Sequence, residues 1–364
     1  MKKIFTALIA LALLTACAPT TGTNNGNQGD ALQVGVILPT RELPRWTQEE
    51  PYLDKALKEK GISHKIIFAQ GSPFAEKEYA HDFISKGVKV LLICANDGVA
   101  AASEIEDAKK AGITTIAYDR PIMHTDALDY IVGFDTNAVG EAQGNYLISQ
   151  AEGTGNPLYL YSGPASDENS FLFFEGAWKV LQPKIADGTF IIQNSQAAQA
   201  LSSVNELTRD NLTMIISQIS TNWEYGLART KAEADLLNPY SSKATVYILA
   251  GNDITARAIS DVFTGKVEKY YITGQDADKD SIQYILDGKQ SMTVLKDLRK
   301  LSQLATDTAV SALKGETVAT TSTTDTGASK PIPTIELPVI TITKDNIQQE
   351  IFDSGYYDPK DFSK

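Results

Sequence analysis

Short apolar runs alternate along the chain with stretches whose apolar residues recur every three or four positions. That is the pattern of buried strands covered by helices. Leu32 to Leu38 is the first run, and Pro39 closes it. The next stretch puts Leu53, Ala56 and Leu57 on one helical face, then ends in Lys58, Lys60 and Gly61, a basic last turn and a residue suited to a left-handed cap. Further strands are predicted at His64–Ala69, Val88–Cys94, Gly112–Tyr118 and Tyr130–Phe134. The first three of these follow a basic helix end and a glycine (Gly61, Gly87, Gly112) at nearly constant spacing, the signature of a repeated βα unit.

A second set of runs covers Pro157–Ser162, Thr189–Gln193, Thr245–Gly251 and Tyr270–Gly274, with Met292–Leu295 after it. Leu298, Leu301, Leu304, Ala305 and Ala312 predict an amphipathic helix stopped at Gly315. Thr317–Lys330 is rich in Thr and Ser without periodicity and reads as an exposed loop, and Thr334–Ile342 reads as one last strand. The predicted fold class is α/β, with two doubly wound parallel-sheet lobes joined by a hinge of several segments. The predicted division is 31–136 and 296–332 for the first lobe, and 137–295 and 333–364 for the second.

The N-terminus has a different pattern. Lys2 and Lys3 precede an apolar run from Ile4 to Leu14, then Leu14-Thr15-Ala16-Cys17. The run is shorter than the roughly 20 residues of a membrane span and reads as a signal peptide over 1–16, with Cys17 as the lipidation site. Residues 17–30, rich in Thr, Gly and Asn, read as a flexible tether. The expected location is extracytoplasmic, lipid-anchored to the cell membrane. Lipid on Cys17 leaves Cys94, inside an apolar run, as a buried thiol.

The formal charge of −12 disfavours nucleic acid and anionic membrane surfaces as partners. Two Cys and three dispersed His provide no metal-ligand spacing, and no cofactor is expected. Asp276-Ala277-Asp278-Lys279-Asp280 starts like a calcium loop but continues with Ser281 in place of its glycine, so a capped helix is the better account. There is no G-x-S-x-G, Walker or H-E-x-x-H motif, and no enzyme activity is expected.

In open α/β sheets, ligands bind beyond the carboxyl ends of the strands. Those positions are polar here: Arg41, Arg45 and Trp46; Asn96 and Asp97; Asp119 and Arg120; Asp135 and Asn137; Asp167, Glu168 and Asn169; Asn252 and Asp253; Gln275 and Asp276; Lys296. Any one of the Asp or Asn residues reads equally well as a helix cap. Their recurrence at one topological place points to a polyhydroxylated ligand, because each hydroxyl both donates and accepts, while indoles suit the apolar face of a sugar ring.

At Arg45-Trp46, Ala117-Tyr118-Asp119-Arg120, Asp167-Glu168-Asn169, Asn252-Asp253, Gly274-Gln275-Asp276-Ala277-Asp278, Met292-Thr293-Val294 with Lys296, and Gly355-Tyr356-Tyr357, the chain resembles the periplasmic sugar-binding proteins of ABC importers, in their xylose- and multiple-monosaccharide-binding branch. The resemblance implies capture of a monosaccharide such as xylose or glucose by closure of two lobes, and delivery to a membrane permease with its ATPase. The alternative it leaves open is a sensor that presents its closed form to a chemoreceptor or sensor kinase. It also implies sugar contacts at Arg45, Asp119, Arg120, Asp167, Asn169, Asn252, Asp276 and Lys296, with Trp46 and Trp223 as stacking rings. Trp178 is expected in the core. Glu168 stands where the family usually has Asn, and a Glu168 side chain aimed into the site would alter sugar preference.

Overall fold

The computed structural model describes residues 31–237 and 245–363. The signal, tether and Cys17 expected from the sequence lie outside the described residues. Chain order in the first lobe is β1 (Val34–Leu38), α1 (Pro44–Glu59), β2 (His64–Phe68), α2 (Pro73–Ser85), β3 (Val90–Ile93), α3 (Ala102–Lys110), β4 (Thr114–Tyr118) and β5 (Tyr130–Phe134). The second lobe follows with α4 (Thr136–Gln150), β6 (Asn156–Tyr161), α5 (Glu168–Ala186), β7 (Phe190–Ile192), α6 (Gln196–Ala200), α7 (Arg209–Ile219), α8 (Tyr225–Asp235), β8 (Thr245–Ala250), α9 (Asp253–Phe263), β9 (Lys269–Ile272), α10 (Lys279–Leu286) and β10 (Met292–Leu295). The chain then runs through α11 (Leu298–Lys314), β11 (Ser322–Thr324), β12 (Ile332–Leu337) and β13 (Ile340–Thr343).

The first sheet has seven strands in the order β11-β12-β5-β4-β3-β1-β2, parallel except where β11 meets β12. The second has four parallel strands in the order β7-β6-β8-β9. Their central strands are continuous apolar runs because helices cover both faces. In the first lobe one face packs Val36, Leu92, Ile116 and Val132 under α1 and α11, and the other packs Ile37, Leu91, Ile93 and Ala117 under α2 and α3. Cys94 is fully buried in the first of these cores, and Trp178 is buried in the second lobe with its indole N–H donated to the Val204 carbonyl at 2.9 Å.

The C-terminal third departs from expectation in two places. The stretch read as one strand is two, in different sheets: β12 pairs with β5 in the first lobe, while β13 pairs antiparallel with β10. Pro338, which has no N–H to donate, separates them. The lobe change expected at 332/333 therefore falls after Leu337, and the chain passes between lobes after β5, β10 and β12. The loop expected over 317–330 also contains β11, a three-residue edge strand too short and too Thr-rich to show a period. Beyond β13, Tyr357 reaches both lobes: its hydroxyl donates to the Ala277 carbonyl at 3.0 Å and lies 2.9 Å from the Gln48 side-chain amide of α1.

The second lobe is organised on a close crossing of α4 and α5. A Cβ at Gly140 would lie 1.8 Å from the Phe173 carbonyl oxygen, and one at Gly176 2.1 Å from that of Asn137, so each helix presses backbone on backbone. This crossing fixes the N-terminus of α5, which carries residues of the cleft. Gly140→Val should cost about 3 kcal/mol or more, since overpacking here meets backbone that cannot yield. Gly226→Ala, at a position in α8 with open space, should instead stabilise by about 0.5–1 kcal/mol. Thermal denaturation of both variants checks the contrast.

Candidate functional site

The carboxyl ends of both sheets face one cleft, and its walls come from turns fixed by helix starts. Pro44 opens α1, which places Arg45, Trp46 and Glu49 in its first two turns with their side chains buried. A cation in a first helical turn opposes the helix dipole, so Arg45 needs anionic neighbours. It finds them in Asp119 after β4 (2.5 Å from Nη2) and Asp276 after β9 (3.3 Å from Nη1). Both acids sit on left-handed backbone, with φ of 64° and 102°, a strain that the surrounding contacts maintain. Lys296, directly after β10, adds a second cation 3.0 Å from Asp276 and 3.9 Å from Asp119.

A second set of contacts is centred on Asp167. Its Oδ1 accepts the Asn169 N–H and so caps α5, while its Oδ2 accepts Trp223 Nε1 at 3.1 Å and forms an ion pair with Arg120 Nε at the same distance. Arg120 also donates to the Ala95 carbonyl at 3.0 Å, and Asn169 Nδ2 donates to the Asp119 carbonyl at 3.2 Å. The Trp223 ring lies on glycine backbone: a Cβ at Gly163 would be 2.0 Å from it and one at Gly251 2.9 Å. Arg120 and Asp119 belong to the first lobe, Asp167, Asn169 and Trp223 to the second, so the Arg120–Asp167 ion pair and the Asn169–Asp119 hydrogen bond run across the cleft.

Arg45, Trp46, Asp119, Arg120, Asp167, Asn169, Trp223, Asn252, Asp276 and Lys296, the ten residues singled out from the sequence, all line one cavity. It encloses about 460 Å³ of space between atoms, part of it continuous with solvent. Asn252 also caps α9, accepting the Thr255 N–H at 3.0 Å. Trp46 has the guanidinium carbons of Arg45 and Arg120 at 4.5 and 5.4 Å from its ring centroid, so its face serves the cations as well as the cavity. Glu168 is turned away. Its carboxylate makes a bidentate pair with Arg209 of α7, which lies over the Phe171 ring.

Sequence reasoning did not single out Phe173, whose ring centroid is 5.6 Å from Lys296 Nζ, or Glu49, buried behind Arg45. Glu49 had a signal: an acid four residues after Arg45, on the face of α1 that carries Trp46 and Leu53. Buried Trp46 Nε1, Asn169 Oδ1 and Gln275 Oε1 have no hydrogen-bond partner within the protein. All three residues line the cavity. They offer one donor and two acceptors to whatever occupies it.

The charges are graded. Burial works against the Arg45 cation, but Asp119, Glu49 and Asp276 outweigh it and raise its pKa well above the usual value. Asp119 is likewise held below the ordinary carboxyl range: burial opposes its ionisation, and Arg45, Lys296 and Arg120 overcome that. Glu49 behaves oppositely. Burial pushes it up to about 7, because its 3.5 Å contact with Arg45 Nε is too long to offset desolvation and Asp119 repels it. It accepts a hydrogen bond from Tyr118 on its far side.

A carboxyl whose pKa is raised in the folded state favours folding below its unfolded pKa, and that contribution is lost as pH rises through the folded value. Between about pH 5 and 8, wild-type stability should therefore fall relative to Glu49→Gln, by on the order of 2–3 kcal/mol across the window. Denaturant unfolding of both proteins at several pH values tests this. Parallel pH profiles would remove the shift.

The periplasmic binding protein domain family matches residues 34–317. A carbohydrate transporter solute-binding protein from Chloroflexus aurantiacus, solved in complex with D-glucose, is 52% identical, with a TM-score of 0.89 over 91% of this chain and 98% of that one. An ABC transporter solute-binding protein from Clostridium phytofermentans with bound β-D-glucose is 27% identical, with a TM-score of 0.80 over 90% of this chain and 99% of that one. The multiple sugar-binding periplasmic protein SbpA of Azospirillum brasilense is 28% identical over the full length of both chains. Two parallel-sheet lobes, a polar cleft between them and a family match over most of the chain agree: the protein belongs to the periplasmic binding protein domain family.

Proposed function

We propose that the protein is the extracytoplasmic binding component of a carbohydrate ABC importer, and that its ligand is a neutral aldose, D-glucose or a near relative such as xylose. The charge balance of the cavity carries this reading. Arg45, Arg120 and Lys296 stand against Asp119, Asp167 and Asp276, while Asp278, the fourth carboxylate of the lining, is neutralised by its ion pair with Arg257 behind the wall and Glu49 lies behind Arg45 rather than in the lining. A sugar acid, sugar phosphate or amino acid would upset that balance. An uncharged polyol keeps it, and its hydroxyls can satisfy Trp46 Nε1, Asn169 Oδ1 and Gln275 Oε1. The relative with 52% identity, solved with D-glucose, supports the same ligand class.

The mechanism is closure. The bonds from Arg120 to Asp167, Asn169 to the Asp119 carbonyl and Arg45 to Asp276 join the lobes around the cavity and, in the closed form, exclude water from it. Exclusion of water strengthens each charge-assisted bond to the ligand. The closed face is what a membrane permease and its ATPase would read. Binding rather than hydrolysis is the reading of the two facing acids, since Asp119 is held ionised by its cations and has no proton to give a leaving group. We read Cys17 as the lipid anchor that keeps the protein at the outer face of its membrane.

D-Glucose at 100 times its dissociation constant should stabilise the soluble domain by about 2.7 kcal/mol. Arg120→Ala should weaken that binding at least tenfold by calorimetry while the unliganded protein stays folded, and unchanged affinity would remove Arg120 from the site. In the cell, Cys17→Ser should release the protein from the membrane fraction. Retention of the variant there would refute the anchor.

A further inference from the structure

Next to the cavity that holds the proposed sugar lies a second, outer space between the lips of the lobes, open to solvent and with room of about 650 Å³. Four residues line both: Leu43 and Arg120 from the first lobe, Trp223 and Ile254 from the second. They stand between the two spaces as a collar, and it is complete only when the lobes are together.

The four members are held differently. Trp223 donates to Asp167 Oδ2 and Arg120 forms an ion pair with it, so one buried carboxylate fixes the polar half of the collar. Leu43, just before α1, and Ile254, in the first turn of α9, are half-buried aliphatic side chains with no polar tether. Leu43 packs against the cluster of Phe173, Trp223, Met292 and Val294 in the opposite lobe. The outer cavity is lined by Thr40, Asn96, Asp97, Ser166 and Asn222, which have the groups a sugar hydroxyl needs. The outer wall also carries Pro39, Pro73 and Pro164, but at the collar itself the aliphatic side is made by Leu43 and Ile254. A glycosidic oxygen or hydroxyl threaded through it would leave water on that side without gaining a hydrogen bond.

Resting on the sugar-binding reading above, we propose that Leu43 and Ile254 are specificity-determining residues, an aliphatic shutter that restricts the closed site to a single sugar ring. The outer cavity is the space a second ring would occupy once the shutter is cut back. Substrate size is thus set at the collar and not by the depth of the inner cavity.

Titration calorimetry of the soluble domain with D-glucose, cellobiose and maltose tests this through the ratio of disaccharide to glucose dissociation constants. Wild type should give a ratio of at least 100 for both disaccharides, and Ile254→Ala combined with Leu43→Ala should lower it at least tenfold for one of them. Leu43→Ala alone, on the other lobe, provides the same reading if the double variant does not fold, with an expected drop of at least threefold. A ratio that moves less than twofold in the variants, or a wild type that binds a disaccharide as tightly as glucose, overturns the shutter. Failure of the sugar reading itself looks different: a folded wild type that binds none of the three sugars, nor D-xylose, ends both proposals.

Discussion

The structure turns on the need to keep three cations and the carboxylates that neutralise them buried together in one cleft. Each of these ions alone would be costly to bury, by several kcal/mol after relaxation. Arg45 sits at the wrong end of a helix for its charge, and Asp119 and Asp276 are on strained backbone. None of the three would persist without the others. The groups come from both lobes and from the chain passage at Lys296, so their mutual neutralisation is also what draws the lobes together.

Much of the surrounding architecture holds these ions in place. The glycine contacts of α4 and α5 set the start of α5 and with it Asp167 and Asn169. Gln143 of α4 donates to the carbonyls of Ala250 and Gly274, tying the ends of β8 and β9 where Asn252 and Asp276 follow. Asp253 accepts from Gln290, Thr293 and the Asp278 N–H, locking the start of α9 to β10 and to the turn that carries Asp276. Tyr357 holds the same turn from the outside through the Ala277 carbonyl.

The parallel strands and most site positions were legible in the sequence because burial on both faces leaves continuous apolar runs, and strand ends are where polar residues collect. Capping a helix does not exclude a place in the cavity wall: Asp167 caps α5 with one oxygen and holds Arg120 and Trp223 with the other. Other features left no trace at the level of pattern. The run from Thr334 to Ile342 keeps one hydrophobic character while it changes sheet at Pro338, since periodicity records that a residue is buried and not what buries it. Phe173 is one of several aromatics on α5, and only the packing of that helix shows which of them reaches the cleft. The direction of Glu168 depended on Arg209, distant in sequence and on another helix.

The position of β12 bears on how the protein is made. The first lobe's sheet has β5 (Tyr130–Phe134) bordered on one side by β12 (Ile332–Leu337), so that lobe is incomplete until the whole second lobe up to β10 has also left the ribosome. Pairing partners this far apart in sequence assemble slowly. A nascent chain with this connectivity has little opportunity to lock into a finished lobe during synthesis, and it stays threadable for longer. For a protein whose proposed site of action is beyond a membrane, the crossing that joins the lobes would also delay folding until the chain has been translocated.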